Sequence, residues 1–272
     1  MSSFRAACIQ LCATDEVAQN LRTAAELIRQ AAGQGAQFVA TPENTNLMAP
    51  EGARLAKTFA EAADPCLPVF RALAQDLGIW LLLGSLAIKS GETKTANRSF
   101  LLDPKGNVAA RYDKIHLFDV DLPNERYRES AGVAGGSEAV TAALPWGRLG
   151  LSVCYDLRFP QLYRALAQAG AAFFAVPAAF TETTGKAHWH VLVRARAIEN
   201  GAFVFAPAQG GLHANGRRTY GHSLIVSPWG EILAEAGTEP GVILAAIDPA
   251  AVAKVRGALP SLQHDRPFAL RD

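Results

Sequence analysis

The sequence predicts an α/β fold in which two β-sheets pack face to face between outer helices, a four-layer α-β-β-α sandwich. The first observation is an internal repeat, because GAQFVATP (35–42) and GAAFFAVP (170–177) share the pattern G-A-x-F-x-A-x-P. A second pair, SFLLDPKG (99–106) and SLIVSPWG (223–230), follows in the same order. The third observation is that the strand candidates are unbroken apolar runs, which is typical of strands covered on both faces. Two such halves bury their apolar surfaces most simply by packing sheet against sheet.

The first half begins with a strand candidate and continues with a helical pattern. FRAACIQ (4–10) is predicted as a strand, and EVAQNLRTAAELIRQAAGQ (16–34) as a helix. Further strands are predicted in GAQFVATP and in GIWLLLGSLAI (78–88). SFLLDPKG predicts a strand and a turn, so that NVAARYD (107–113) returns as the second strand of a hairpin.

The second half repeats this order. The predicted elements are a strand in RLGLSVC (148–154), a helix in FPQLYRALAQA (159–169), and strands in GAAFFAVP, GAFVFAPAQ (201–209) and SLIVSPWG. The halves are not separated by a Ser/Gly-rich linker, so residues 1–272 are expected to form one domain.

Composition and charge exclude several classes of function. The 272 residues are half hydrophobic and carry a net charge of +1. Nucleic acid and anionic membranes both select basic surfaces, so neither is an expected partner. The apolar runs are too short to span a bilayer, and the N-terminus lacks the basic and apolar segments of a secretory signal. Four cysteines without clustered spacing favour reduced thiols and a cytoplasmic location.

Three reactive side chains are predicted at strand ends, where ligands bind in layered α/β folds. Glu43 follows the strand in GAQFVATP, Lys114 follows NVAARYD, and Cys154 ends RLGLSVC. Each residue alone has an ordinary structural explanation, as a loop carboxylate, a surface cation or a buried thiol. Together they supply the proton acceptor, the fixed cation and the nucleophile that acyl transfer to a thiol needs.

The turn after Cys154, YDLRFP, leads directly into a predicted helix and is expected to act as a nucleophile elbow. Backbone N–H groups in such a turn lack intrahelical partners and point towards a group beside the thiol. The hypothesis is that Glu43 accepts the thiol proton, while Lys114 and the N–H of Tyr155 hold the oxyanion.

A histidine is the alternative base, since a Cys–His pair would indicate a papain-like hydrolase. The six histidines are His116, His188, His190, His213, His222 and His264. His188 and His190 point in different directions on a strand or a helix, and the chain has no HExxH motif, so a metal site is not expected. GVAGG (132–136) does not match GxGxxG, so a dinucleotide cofactor is not expected either.

The chain resembles the nitrilase superfamily of carbon–nitrogen hydrolases over about residues 4–267. The matching segments are TPENTNL (41–47), RYDKIHLFDVDLP (111–123), VCYDLRFPQLYRALAQAGA (153–171), PAAFTETTGKAHWHVLVRARAIEN (177–200) and YGHSLIVSPWGEI (220–232). This resemblance implies an α-β-β-α sandwich that commonly forms homodimers or larger homo-oligomers. It implies a catalytic triad of Glu43, Lys114 and Cys154, with a second glutamate at Glu129. Gln161 stands where the family commonly has glutamate, which puts a partner for a nearby charge in doubt.

Within the superfamily, TGKAHW, YGHS and LPSLQHDRP most resemble the amidases that act on deaminated glutathione. The neighbouring group is the ω-amidases, which hydrolyse α-ketoglutaramate. The resemblance implies a thiol-dependent amidase that releases ammonia from a small carboxylated amide and needs no cofactor. A true nitrilase uses the same triad and stays an alternative, as does a non-enzymatic binding protein in which Cys154 senses redox state.

A carboxylated substrate needs cationic or polar partners in its site. The candidate substrate-binding residues are Tyr155, Arg158, Phe180, Thr181, His188, Arg217 and Arg218. Three further candidate partners for an anion are Lys186, Arg194 and Arg196, although most of the six candidate cations are expected to be structural or solvated. Arg217 and Arg218 are favoured because HANGRR (213–218) has the Asn-Gly signature of a flexible rim loop. Arg196 is expected to pair with Glu199, three residues further along a helix.

Overall fold

A computed structural model describes residues 2–122 and 125–271. Pro123, the last residue of the RYDKIHLFDVDLP segment, lies outside the described residues, as do Met1, Asn124 and Asp272. The first elements are β1 (Phe4–Gln10), α1 (Val17–Gly33), β2 (Phe38–Ala40), α2 (Glu51–Arg54), α3 (Cys66–Leu77), β3 (Trp80–Ser90), β4 (Lys94–Leu102), β5 (Val108–Asp113), β6 (Asp119–Leu122), β7 (Glu125–Arg128), α4 (Glu129–Gly132) and β8 (Val133–Ala134). They are followed by β9 (Thr141–Leu144), β10 (Gly147–Leu151), α5 (Pro160–Gln168), β11 (Ala171–Ala175), α6 (Glu182–Asn200), β12 (Phe203–Ala206), β13 (Gly210–Leu212), β14 (Arg218–Tyr220), β15 (Leu224–Val226), β16 (Ile232–Glu235), β17 (Gly241–Ile247) and α7 (Ala250–Ala258).

Two large sheets have the same internal topology. The first has the strand order β17-β1-β2-β3-β4-β5, with β8 beside β4, and the second has β9-β10-β11-β12-β15-β16. In each sheet three successive strands are parallel, β1 to β3 and β10 to β12, and the strands on either side are antiparallel. The helices α1 and α5 connect the first parallel pair, and α3 and α6 connect the second. The repeat that the two G-A-x-F-x-A-x-P segments predict is therefore present in the fold.

The two sheets pack against each other through large aromatic side chains. Phe38 of β2 meets Phe205 of β12 at 5.0 Å between ring centroids, and Phe4 of β1 meets Phe173 edge-to-face at 5.7 Å. These rings are buried, and burial of each such side chain contributes about 1.5–3 kcal/mol to stability. On the outer face of the first sheet, Val39 packs in a separate cluster with residues of α1 and α3. The layers are therefore helix, sheet, sheet and helix, which confirms the predicted sandwich.

The predicted elements lie close to the observed ones, and the structure adds further helices and strands, of which the helices α3 and α6 are the longest. Helix α3 buries Cys66, Phe70 and Leu73, whose spacing is helical, and it ends at Gly78, whose φ of +63° only glycine adopts readily. Helix α6 covers the HWH segment, so His188 and His190 lie about 200° apart around its axis. No helix within residues 2–122 and 125–271 combines the length and the apolar character needed to cross a membrane.

Candidate active site

A buried ion-pair cluster joins the ends of the first sheet's strands. The Nζ atom of Lys114 donates to Oε1 of Glu43 at 2.9 Å and to Oε2 of Glu129 at 2.8 Å. The side chain of Lys114 is only 2% exposed, so its charge is sustained by these two carboxylates. Asn97 in β4 adds a second link, because its Nδ2 donates to Glu43 at 2.8 Å and to Glu129 at 3.2 Å. The sequence prediction that Glu43 and Lys114 converge, with Glu129 beside them, agrees with this geometry.

Glu43 is held by contacts from both sheets. Its carbonyl oxygen accepts a hydrogen bond from Nε2 of Gln209, which follows β12. The next residue, Asn44, has a φ of +57° and donates its N–H to Ser85 Oγ at 2.8 Å. Gly84 makes this close approach possible, since a Cβ atom there would lie 1.9 Å from the carbonyl oxygen of Thr41. The carboxylate therefore projects from a backbone turn that leaves it little freedom.

Cys154 lies in a strained turn and not at the end of a strand, which corrects the sequence prediction. The strand β10 ends at Leu151, and Cys154 begins a short 3₁₀ turn over Cys154–Arg158. Its φ is +51°, a left-handed conformation that costs a non-glycine residue about 1–3 kcal/mol. The N–H of Cys154 donates to the carbonyl of Pro177 at 2.9 Å, which ties the turn to the end of β11. This backbone supports the predicted nucleophile elbow.

Asp156 connects the cysteine turn to the lysine segment. Its fully buried carboxylate accepts hydrogen bonds from the N–H of Val153 at 2.8 Å and from the hydroxyl of Tyr112 at 2.6 Å. It also accepts from the N–H of His116 at 3.0 Å, and the Nδ1 atom of that ring lies 2.7 Å away. Lys114 lies between Tyr112 and His116 in the chain. Asp156 therefore holds the turn of Cys154 and the segment of Lys114 in a fixed relative position.

The histidines do not supply the base. His116 is committed to Asp156 and stacks on Phe159 at 3.5 Å, and His213 contacts the carbonyl of Ala13. Within residues 2–122 and 125–271, the side chains that line the cavity around Cys154 include none of the six histidines. The papain-like alternative is therefore disfavoured, and Glu43 is the carboxylate beside the thiol.

The protonation states follow from burial and from the neighbouring charges. Burial raises the pKa of the Cys154 thiol, the Glu43 carboxylate raises it further, and Lys114 opposes them only in part. Burial alone would raise the pKa of Glu43, but Lys114 outweighs it and holds that pKa below the ordinary value. Burial alone would lower the pKa of Lys114, but the carboxylates of Glu129 and Glu43 raise it. At neutral pH the resting triad is therefore a neutral Cys154 thiol, a Glu43 carboxylate and a Lys114 ammonium.

The cluster opens into a cavity of about 870 Å³. Of the predicted substrate-binding residues, Tyr155, Phe180 and Arg217 line its wall. Arg158 does not line the cavity. Its guanidinium lies 5.4 Å from the ring centre of Phe180, which does line it.

The other three predicted substrate-binding residues are also placed outside the cavity wall. Thr181 is buried as the N-cap of α6 and accepts a hydrogen bond from the N–H of Thr184. His188 and Arg218 are exposed, the first on α6 and the second at the start of β14. The side chains of these three residues therefore serve the scaffold or contact solvent.

The three further candidate anion partners do not line the cavity and have structural partners instead, of which the sequence predicts only the pairing of Arg196 with Glu199. Lys186 pairs with Glu182 at 2.7 Å, and Arg194 donates to the carbonyl of Gly230 at 2.8 Å. Arg196 pairs with Glu199 at 3.0 Å and also donates to the carbonyl of Leu157. These three side chains brace α6 and do not line the cavity.

Arg54 is not among the residues predicted from the sequence, and it lines the same cavity as Arg217. It ends the four-residue helix α2, whose N-cap is Pro50, so neither periodicity nor a motif indicates it. Its guanidinium donates to Oδ1 of Asn44 at 2.8 Å and to Oγ1 of Thr95 at 3.2 Å. Burial and Arg217 lower the pKa of Arg54, although the carboxylates of Glu129 and Glu43 oppose them. Two guanidinium groups thus face one cavity.

Comparison with known proteins gives a consistent result. The family model described as carbon-nitrogen hydrolase matches residues 5–257. A deaminated glutathione amidase from Synechocystis sp. is 44% identical over 271 residues, covering 97% of this chain and 98% of that protein. An omega-amidase from Homo sapiens is 36% identical over 268 residues, covering 98% of this chain and 96% of that protein.

A solved structure adds chemistry to the comparison. The amidase from Nesterenkonia sp. AN1 superimposes with a TM-score of 0.83 and 29% identity, covering 97% of this chain and 94% of that one. In that structure, of a glutamate-to-glutamine mutant, the acetamide moiety of fluoroacetamide is bound covalently at the active-site cysteine. The likeness extends over nearly the whole of both chains.

Proposed function

This chain belongs to the carbon–nitrogen hydrolase family and is an amidase, and we propose that Cys154, Glu43 and Lys114 are its catalytic triad. The observation that carries the proposal is the placement of Lys114 at 2.9 Å from Glu43 beside the Cys154 elbow. Glu129 orients the cation, since the same Oε2 atom accepts hydrogen bonds from Lys114 Nζ and from the N–H of Phe118. Glu129 is therefore a positioning residue in this proposal.

The first step follows from the protonation states. The thiol of Cys154 is neutral, so Glu43 takes its proton as the sulfur attacks the amide carbon. The carbonyl electron pair moves to oxygen, and Lys114 Nζ with the N–H of Tyr155 stabilises the resulting oxyanion. The N–H of Cys154 is already bonded to Pro177, which is why the neighbouring amide is the donor we assign. One such donor contributes about 3 kcal/mol to lowering the barrier.

The remaining steps return every proton. Glu43 gives the proton to the leaving nitrogen as the carbon–nitrogen bond breaks, which leaves a thioester on Cys154. Glu43 then takes a proton from water as the water oxygen attacks the thioester carbon. The thiolate leaves and recovers that proton, so that the free acid and the original thiol are formed.

The substrate of this amidase is an anionic acyl compound, and we assign Arg217 and Arg54 to its carboxylate. Nε of Arg217 is buried and has no acceptor within the part of the chain that the structure describes, although Nη2 donates to the carbonyl of Ala179. Two guanidinium groups that face one cavity repel each other, and a bound carboxylate removes that repulsion. Their placement supports deaminated glutathione, the substrate of the Synechocystis amidase, which carries carboxylates at both ends.

The leaving group distinguishes the candidate substrates. Deaminated glutathione contains only secondary amides, so its hydrolysis at the 2-oxoglutaryl amide releases cysteinylglycine. The release of ammonia that the family resemblance implies therefore does not apply to this substrate. Ammonia is the product from α-ketoglutaramate, the alternative that the ω-amidase relationship suggests. A cavity of about 870 Å³ lies near the upper end of the range of about 300–1,000 Å³ for small-molecule sites and favours the larger substrate.

A substrate panel tests this proposal through the shared product, 2-oxoglutarate. We expect kcat/KM for deaminated glutathione to exceed that for α-ketoglutaramate by at least about tenfold, or about 1.4 kcal/mol. A chain with Cys154→Ala is the control for contaminating amidases. Preference for α-ketoglutaramate would identify an ω-amidase. Hydrolysis confined to simple nitriles, measured as released ammonia, would identify a nitrilase and overturn the proposal.

The carboxylate anchor predicts an effect on substrate binding. Arg217→Gln should raise KM for an anionic amide by about 10–100-fold, because a charge-assisted hydrogen bond contributes about 1.5–3 kcal/mol. Arg218→Gln is the matched control, since the neighbouring side chain is exposed and does not line the cavity. The same two variants are assayed on a substrate whose carboxylate is capped as an amide, for which KM should not change. Equal KM values for Arg217→Gln and the parent chain on the anionic substrate would exclude the anchor.

The low exposure and the raised pKa of the Cys154 thiol disfavour the alternative of a non-enzymatic, redox-sensing protein. Redox-sensing cysteines have low pKa values and are accessible, whereas Cys154 is 5% exposed with a raised pKa. The free thiols of all four cysteines support a reducing, cytoplasmic location.

Assembly and domain organisation are further proposals. One core cluster contains residues of both sheets, which supports a single domain. A homodimer or larger assembly is supported by large apolar side chains exposed on α6 and the β15–β16 hairpin, namely Val191, Ile198, Trp229 and Leu233. Light scattering should then give at least twice the chain mass of 28.9 kDa.

A further inference from the structure

Three side chains outside the active site converge on one point of the surface. Oε1 of Glu235 lies 2.9 Å from Nε2 of His190 and 2.9 Å from Nδ1 of His222. All three donor atoms lie within 4.8 Å of one another. His190 comes from α6, His222 from the segment after β14, and Glu235 from the end of β16. The sequence does not indicate this group, because its three residues lie in separate elements and no spacing motif joins them.

We propose that His190, His222 and Glu235 form a binding site for a divalent transition metal ion, with Zn²⁺ as the favoured ion. Two imidazole nitrogens and one carboxylate oxygen suit zinc, whereas magnesium and calcium prefer oxygen ligands alone. Zinc takes these ligands at about 2.0–2.2 Å in tetrahedral geometry, so the donor atoms need to lie about 3.3 Å apart. The observed 2.9 Å contacts to Glu235 reach that spacing by movements of a few tenths of an ångström.

The fold holds the donor atoms of this cluster in place. The His222 ring stacks on Tyr220 at 4.4 Å, its carbonyl accepts from Nε1 of Trp189 at 2.7 Å, and its N–H donates to Gly237. His190 is anchored by α6, and Glu235 by pairing of β16 with β15. Little side-chain entropy remains to be lost on binding, which favours ion capture by preorganised ligands.

Zinc binding needs no reactant beyond the ion, because each imidazole supplies one ring nitrogen and any proton on that nitrogen is released or moves within the ring. In the metal-free cluster, Nε2 of His190 and Nδ1 of His222 both face the Glu235 oxygen. When zinc binds, Nε2 of His190 and Nδ1 of His222 each provide a lone pair, and the proton sits on the other ring nitrogen. The side chains of these residues are 25–36% exposed, so solvent has access and water completes the tetrahedron. The ion joins α6 to the base of the β13–β14 hairpin, whose turn carries Arg217.

The site is tested by isothermal titration of metal-stripped protein with ZnCl₂. Titrations use the Cys154→Ala chain, so that capture of zinc by that thiol does not contribute. We expect one Zn²⁺ per chain, and His190→Ala should weaken binding by at least about tenfold. Alanine at this partly exposed helix position preserves folding. His264→Ala, which removes an exposed histidine elsewhere, is the matched control and should bind as the parent does.

Two other results would overturn the proposal. One is unchanged zinc affinity in both His190→Ala and Glu235→Gln. The other is loss of zinc binding in Cys12→Ala, which would place the ion at Cys12 and His213, whose Sγ and Nδ1 atoms lie 4.0 Å apart. Thermal unfolding gives a second measurement, since zinc should raise the midpoint of the parent chain and leave that of His190→Ala unchanged.

Discussion

Replacing Cys154 with alanine is expected to reduce turnover by at least about 10⁴-fold while the fold persists. The reason is that the proposed mechanism passes through a thioester, and Cys154 is the one cysteine among the described residues that line the cavity. Alanine retains the backbone N–H that bonds to Pro177, so the turn should keep its conformation. Hydrolysis of deaminated glutathione, measured as 2-oxoglutarate, and circular dichroism of the same preparation check the two halves of this expectation.

Cys12→Ala is the matched control for removal of a thiol. Cys12 is half-buried, its Sγ contacts the carbonyl of Leu212, and it does not line the active-site cavity. Its replacement should leave kcat within about twofold, since a surface change away from special features alters little. Turnover by Cys154→Ala at more than a hundredth of the parent rate would refute nucleophilic catalysis by this residue.

Glu43→Gln is expected to separate attack by the thiol from completion of the cycle. The amide cannot accept the thiol proton, protonate the leaving nitrogen or activate water, so turnover should fall by at least about 10³-fold. In the parent chain burial and the Glu43 carboxylate raise the pKa of Cys154, and Lys114 lowers it. Removal of the carboxylate removes one of the two causes that raise the thiol pKa, so that pKa should fall although burial still raises it.

The variant should therefore still be alkylated by an activated amide such as fluoroacetamide. Intact-mass spectrometry should show one stable adduct on Cys154 in the Glu43→Gln chain and none in the Glu43→Gln, Cys154→Ala chain. Glu129→Gln is the comparison variant, because it keeps Glu43 and removes one of two carboxylates that hold Lys114. Its turnover should fall less than that of Glu43→Gln. An equal or greater fall would assign the general base to Glu129 instead.

The residues that could be predicted from the sequence are those whose position follows from strand order. Glu43 and Lys114 come directly after predicted strands, and carboxyl ends of neighbouring strands meet at one edge of a sheet. The sequence predicts the position of Cys154 near the end of β10 correctly, but the predicted strand conformation at this residue is wrong. Neither composition nor apolar spacing shows that the strand ends at Leu151 or that φ becomes positive.

Other parts of the site depend on long-range packing. In the sequence, Asn97 is one polar residue of a strand. Its hydrogen bonds to Glu43 and Glu129 become evident only in the structure, where β4 pairs with β3. In the sequence, Asp156 is a turn residue. In the structure it accepts a hydrogen bond from Tyr112, 44 positions earlier in the chain. The sequence also does not distinguish between the candidate cations, since Arg217 lines the cavity and the adjacent Arg218 does not.

The duplicated topology divides the chemistry unequally between the two halves. In the proposed triad, the base Glu43 and the cation Lys114 belong to the first half and the nucleophile Cys154 to the second. At the reciprocal position Cys12 follows β1 by two residues, much as Cys154 follows β10 by three. The counterpart of Glu43 after the second G-A-x-F-x-A-x-P segment is the buried Ala178, which has no carboxylate. The two halves therefore share their backbone topology but differ in the side chains at their strand ends, so that the proposed triad is assembled once, from residues of both halves.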